Sequence, residues 1–295
     1  MKFSEMPYTR PDKDEILART AEATARLRAA KTFEEAEAVY LEADRYSGEI
    51  ATLATLAGIR HSIDTRDAFY EAESDWWDET SPLLAEGSNA FQQALFESPF
   101  RPRFEEKYGD VIFKNIEQAL RAFSPEIIPE MQKENSLVTE YNKLIASAQI
   151  EFEGGTYTVA QMGPIQQDPD DRRRLAAWRA VGNWFLSKGG ELDRLYDELT
   201  ALRDGMGKKL GYGGYTPLGY YRMTRTSYGR EEIEAFRLAV RKYLVPVADR
   251  IRREQAKRLG VSYPMSYADQ SLMFRSGNPV PVGTADDIVA QAKKF

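Results

Sequence analysis

The sequence contains no cysteine and only one histidine, His61, in 295 residues. Without a thiol there is no disulfide framework, no Cys-ligated zinc and no cysteine nucleophile. One imidazole cannot build a paired-His zinc site, because a metallopeptidase helix needs two histidines one turn apart. Carboxylate-bridged di-iron bundles of the Glu-x-x-His kind fail on the same count. No run of 18 apolar residues is present, so no helix spanning a membrane is expected. The first residues lack the apolar stretch of a signal peptide, and a cysteine-free chain without an export signal points to the cytoplasm. A basic surplus is also lacking. The 46 acidic and 40 basic side chains give a formal net charge of −6, which argues against nucleic acid as the main partner.

What is present is globular: 42% hydrophobic and 29% charged residues. The length exceeds the usual single-domain range, so two lobes or one elongated helical body are expected. Periodicity is helical nearly throughout. Ala36, Val39, Ala43, Tyr46, Ile50, Leu53 and Leu56 follow steps of three and four, with Thr32 and Glu35 in the pattern of a capping box. Further helices are expected over 66–86, 90–96, 111–123 and 125–148, the last opened by Ser124-Pro125. The stretch 149–159 alternates on both sides of Gly154-Gly155 and predicts a β-hairpin turning on that pair. The fold class is therefore mostly α, a multi-helix two-lobed assembly with one small hairpin near 149–159.

After the hairpin, Asp168-Pro169 opens a helix with Leu175, Trp178, Val181 and Phe185 on one face. Leu192, Leu195, Leu199, Leu202 and Met206 mark the next helix, which ends in a glycine-rich tract. Thr216-Pro217 restarts a short helix. A later one carries Ile233, Phe236, Val240, Leu244, Val247 and Ile251, with Pro246 expected to kink it. Thr284 with Asp286 and Asp287 announces a last helix, with Ile288, Val289, Ala292 and Phe295 on its apolar face and no terminating signal. That pattern is expected of a sequence cut short.

Most candidate constellations reduce to structure. His61 lacks the nucleophile and orienting partner that a catalytic base requires and is expected at a helix end or on the surface; Gly87-Ser88-Asn89 is a loop tripeptide. In Gly205-Met206-Gly207-Lys208-Lys209-Leu210-Gly211, Leu210 stands where a dinucleotide fingerprint needs glycine, and Lys209 where a P-loop needs Ser or Thr. Helix termination and close packing explain it better. Trp76-Trp77 suits a core, while Arg172-Arg173-Arg174 and the basic run from Arg250 to Arg258 suit solvated helix faces. The segment Leu218-Gly219-Tyr220-Tyr221-Arg222-Met223-Thr224-Arg225 differs. Arginine binds a carboxylate bidentately and tyrosine offers a flat face and a hydroxyl, so this segment suits a peptide-binding wall or an Arg–acid lattice between lobes.

These blocks carry a resemblance. The run from Ile150 to Thr158, Leu195-Tyr196-Asp197-Glu198-Leu199, Lys208-Lys209-Leu210-Gly211-Tyr212 and the Leu218–Arg225 segment look like the oligoendopeptidase F group of M3 zinc metallopeptidases. Val245-Pro246-Val247, Gln255-Ala256-Lys257-Arg258-Leu259-Gly260 and Phe274-Arg275-Ser276-Gly277-Asn278-Pro279-Val280-Pro281 continue it in the family's order. The match is specific from about residue 149 onward and generic before it. The resemblance implies a helical, two-lobed peptidase enclosing a channel that admits short peptides, with zinc held by a His-Glu-x-x-His helix and a downstream Glu. This sequence contains no His-Glu-x-x-His and resembles only the N-terminal half of a family member, so no catalytic or metal residue carries over.

The expectation is thus a helical lid lobe over 1–148 and the start of a catalytic peptidase domain over 149–295, inactive without the C-terminal zinc-bearing portion. Tyr221, Arg222 and Arg225 are the candidate substrate-channel residues, short peptides the substrates and zinc the cofactor of the intact family member. Two alternatives stand beside it: a stand-alone helical peptide-binding or scaffold protein, and a hydrolase using paired carboxylates.

Overall fold

The computed structural model describes residues 3–294. The fold is mostly α-helical, with a single two-stranded antiparallel hairpin among the described residues. None of the described helices is long and apolar enough to cross a membrane. The chain divides into two compact units: one holds the residues up to Lys143 together with Glu191–Gly229, the other Leu144–Gly190 together with the residues from Arg230 onward.

The first unit opens with α1 (Lys13–Ala29), α2 (Phe33–Ile63), α3 (Ala68–Phe96), α4 (Arg101–Tyr108) and α5 (Val111–Arg121). A 3-10 turn over Pro125–Ile127 then leads into α6 (Ile128–Ala146). The starts follow the capping chemistry. Asp12, Thr32 and Asp67 each accept hydrogen bonds from free amides of the first turn, which would otherwise lack partners. At Thr32 the reciprocal half of the expected capping box is displaced by one residue, because Glu35 accepts from the amide of Lys31. The two helices expected over 66–86 and 90–96 are one helix, α3, and Gly87-Ser88-Asn89 lies inside it. Glycine serves helix packing there: a Cβ on Gly87 would stand 3.3 Å from Cγ2 of Thr20 on α1. Leu27, Phe33, Ala36, Leu95, Phe104 and Phe113 form the main core.

In the second unit, β1 (Ile150–Phe152) pairs antiparallel with β2 (Gly155–Tyr157), Phe152 facing Gly155. The turn is therefore Glu153-Gly154, both at positive φ (48° and 81°), and not Gly154-Gly155. Gly155 belongs to the strand because Tyr157 covers it; a Cβ there would lie 2.9 Å from the tyrosine ring. Next come α7 (Val159–Ile165), with a Thr158–Gln161 capping box, and α8 (Asp171–Ser187). The buried face of α8 carries Arg174, Ala177 and Val181, while Leu175 and Phe185 of the expected face are exposed. Then α9 (Gly189–Lys209) and α10 (Tyr215–Arg222) belong almost wholly to the first unit.

The last helices return to the second unit: α11 (Arg230–Ala239), a π-helical stretch (Val240–Leu244), α12 (Val245–Leu259) and α13 (Ala285–Ala292). Helical structure continues through Pro246. The helix widens into the π turn just before it, where an α-helix would press the proline ring against a carbonyl one turn earlier. At α13, Thr284 and Asp287 complete the announced cap; Phe295 lies outside the described residues.

Candidate functional site

The Tyr221–Arg225 segment is set by the glycines before it. Near its C-terminus α9 passes so close to the following loop that a Cβ on Gly207 would fall 2.2 Å from the carbonyl oxygen of Gly214. The loop reverses at Gly211 (φ 81°) and Gly214 (φ 145°), and α10 begins at once. Leu218 of α10 and Met206 of α9 are fully buried with Ile127. That apolar contact fixes which side of α10 faces inward and leaves Arg222 and the tyrosines of the helix at the margin.

Arg222 and Arg203 converge on Glu134 of α6. Arg222 Nη2 donates to Oε2 at 2.8 Å and Arg203 Nε to Oε1 at 2.6 Å, with the Glu134 side chain only 5% exposed. Burial alone would push the Glu134 carboxyl up, but the two guanidiniums outweigh it and hold it below the usual carboxylate range. Both arginines also lie over the Tyr215 ring. The expected Arg–acid lattice therefore exists, and it lies within the first unit, tying α6, α9 and α10 together.

Tyr221 and Arg225 are placed otherwise. The Tyr221 ring packs against Tyr212 at 5.4 Å, with Arg121 over it at 5.5 Å, while the Tyr212 hydroxyl donates to the carbonyl of Arg121. Arg225 lies 4.2 Å from the Tyr220 ring centre and 5.6 Å from that of Tyr228, donates to the sulfur of Met223, and makes no ion pair among the described residues. Between the two arginines, Thr224 sits at φ 52°. A β-branched residue in the left-handed region is strained, and such strain concentrates at ligand-handling segments. The structure thus separates the three candidates: Arg222 is committed to Glu134, whereas Tyr221 and Arg225 present an aromatic face and a half-exposed cation.

Other expectations change. His61 is in the last turn of α2 but is buried, and its Nε2 has no hydrogen-bond partner among the described residues. Arg174, expected on a solvated face, is 2% exposed. It donates to Asp171 and Asp269 at 2.7 Å and to the carbonyls of Asp168 and Ala268. From the second basic cluster, Arg258 reaches the carbonyl of Met273, while Arg253 keeps a surface pair with Asp249. Trp77 is buried as expected and donates to the Tyr8 hydroxyl.

A cavity of about 760 Å³ opens among α1, α2, α3 and α5, with an apolar floor including Ile16, Phe91 and Leu95. Two of its rim arginines are already engaged: Arg26 pairs with Glu42 and Arg19 lies over Tyr46. None of Tyr221, Arg222 and Arg225 lines it. Among the described residues no group of three or more His, Asp or Glu side chains is placed to hold a metal ion, and the acids around α10 are engaged by arginine or lysine. The donor set among the described residues does not fit a zinc centre.

Residues 3–123 match the family model described as the peptidase M3 N-terminal domain. The whole chain superposes on a structure assigned as an oligoendopeptidase F, at 39% identity and TM-score 0.96, covering 100% of this chain and 52% of that one. PZ peptidase A, solved with an inhibitor, is 38% identical at TM-score 0.96, covering 99% of this chain and 52% of its own. An assigned oligoendopeptidase F from Bacillus anthracis str. Ames is 37% identical at TM-score 0.95, with 100% and 54% covered. No curated protein matches. The chain spans about half the length of these relatives.

Proposed function

We propose that the chain is a member of the M3 peptidase family and forms the N-terminal portion of a zinc-dependent oligopeptidase that hydrolyses short peptides. The observation that carries this reading is the match of the entire chain, at TM-score 0.96, to 52% of an oligoendopeptidase. On this reading residues 1–148 are the helical lid lobe, 149–295 begin the catalytic domain, and zinc is held by residues outside this sequence. Any metal chemistry would be supplied by those outside residues and not by a side chain among the described residues of this chain.

This chain's own residues bind and orient. Arg225, flanked by tyrosine rings and without a carboxylate partner among the described residues, takes a peptide carboxylate or backbone carbonyl. Tyr221 supplies a flat wall beside it. Arg222 is a positioning residue, holding α10 to α6 through Glu134.

The test combines the chain with the zinc-bearing segment of a relative and measures short-peptide hydrolysis with and without chelator. The chain alone is expected to be inactive and the combination active and chelator-sensitive. Arg225→Ala should raise KM about 10- to 100-fold with kcat little changed, as for loss of one charge-assisted hydrogen bond of about 1.5–3 kcal/mol. Peptide binding by the chain with no hydrolysis in either state would favour the stand-alone binding protein. Chelator-resistant hydrolysis by the chain alone would sink the proposal.

A further inference from the structure

Helix α2 is held at both ends and stands off in the middle. Phe33, Ala36 and Val39 are buried near its start and Leu56, Ala57 and His61 near its end, but from Tyr40 to Thr55 no side chain of the helix is buried. Its inward stripe is nevertheless largely apolar over that stretch. Tyr40, Ala43, Tyr46 and Ile50 line the cavity of about 760 Å³ together with Ile16 of α1 and Phe91 of α3. Below it α1 and α3 are tightly apposed, since a Cβ on Gly87 would stand 3.3 Å from Thr20. Protein interiors pack nearly as densely as organic crystals, and a void of this size is not ordinary packing error. Its volume falls within the range of about 300–1,000 Å³ that holds small organic ligands. Apolar cavities in proteins bind apolar molecules.

We infer that this cavity binds an organic cation with an apolar body, the chemistry shared by an alkylamine and by the amino end of an apolar peptide. The walls seat the body and the rim selects the charge. Seven charged side chains line the cavity. Arg26 and Glu42 neutralise each other at 2.9 Å, and Arg19 reaches Glu15 at 3.6 Å. That leaves Glu22, Asp44 and Glu49 against Arg45, none of the four in an ion pair among the described residues. The Tyr46 ring at the same rim already carries a cation, with Arg19 4.6 Å from its centre, and an aromatic face beside carboxylates favours a further ammonium. An anionic amphiphile would instead meet three unpaired carboxylates and a single arginine. The inference is independent of the peptidase reading, because none of Tyr221, Arg222 and Arg225 lines the cavity.

Isothermal titration calorimetry of the chain with decylammonium, decanoate and leucyl-phenylalanine amide, each below any micellar concentration, tests this. The expected result is one-site binding of at least one of the two cations, at least tenfold tighter than decanoate, and which of them binds identifies the source. Ala43→Trp, which fills the cavity, should abolish binding. Asp44→Asn combined with Glu49→Gln should weaken the cation at least tenfold and leave decanoate no weaker. Glu34→Gln removes a charge of α2 outside the cavity and should change nothing. Asp44 and Glu49 are exposed, so the double variant should keep the circular dichroism and melting temperature of the parent chain. Absence of binding by both cations, decanoate bound as tightly as decylammonium, or binding indifferent to Ala43→Trp overturns the inference. So does self-association that Ala43→Trp abolishes, which would give the cavity to a second copy. The peptidase reading stands or falls separately, on hydrolysis by the combined protein.

Discussion

Glu73 is an acid on α3 with a side chain 4% exposed, and its two partners explain its charge. Arg10 donates to both carboxylate oxygens, at 2.7–3.1 Å, and Tyr8 donates at 2.6 Å. The Arg10 hydrogen bonds hold its carboxyl below the usual carboxylate range, against burial. Its folded value is depressed, so the stabilisation is present above about pH 4.3 and lost as pH falls through the folded value. Tyr8 has the opposite sign. Burial first, then donation to Glu73, pushes it up to about 12. Its contribution is complete below about pH 10 and lost as pH rises through about 12. Glu73→Gln should cost about 2 kcal/mol at neutral pH, with the deficit shrinking in acid. Melting curves from pH 3 to pH 8 check that, and Tyr8→Phe should remove one late-ionising tyrosine from the ultraviolet titration. A deficit for Glu73→Gln that grows in acid would contradict the assignment. None of this cluster is legible in the sequence, because its members lie up to 69 positions apart.

At the scale of elements, local chemistry is read well until another backbone comes close. Thr158, Thr284 and Ser124 cap as their residue types dictate, and the hairpin falls where alternation places it. Its turn shifts by one residue because the Tyr157 ring occupies the space over Gly155, a contact that alternation does not encode. Gly87 and Gly207 are likewise packing glycines inside helices rather than chain breakers. The two glycines near the end of α9 supply a sharp contrast. Gly207→Ala drives a methyl into the Gly214 backbone and should destabilise by about 3 kcal/mol. At Gly205 an added methyl would meet nothing within 4 Å, so Gly205→Ala should stabilise by about 0.5–1 kcal/mol. Urea unfolding of the two variants would show opposite shifts in midpoint; equal shifts would refute the packing account. The candidate site shares this divided legibility. Its residue types are visible from Tyr220 to Arg225, but Arg222 is assigned to Glu134 only by a contact across 88 positions.

Across the whole molecule, each unit has its own buried clusters: around Leu27 and Phe104 in the first, around Met162 and Ala177, and around Leu259 and Leu272, in the second. Arg174 is the polar centre of the second, joining the start of α8 to the segment holding Ala268 and Asp269. Removing it strands two carboxylates and buried carbonyls, so Arg174→Ala should cost about 3–5 kcal/mol. Hydrogen exchange should then rise in α7, α8 and 265–272 while α3 stays protected; uniform loss across both units would show that they unfold as one. Helix positions, caps and the hairpin depend on neighbours a few residues away, so periodicity and capping define them from the sequence alone. The same holds for the exclusion of thiol and paired-histidine chemistry, which is a matter of counting. Burial of Arg174, Glu73 and His61, the commitment of Arg222 and the exposure of Phe236 and Ile251 on α11 and α12 depend on partners far along the chain, or on their absence. An identical arginine is a solvated charge or a buried hub according to which carbonyls the fold brings within about 3 Å, and only the tertiary structure makes that choice.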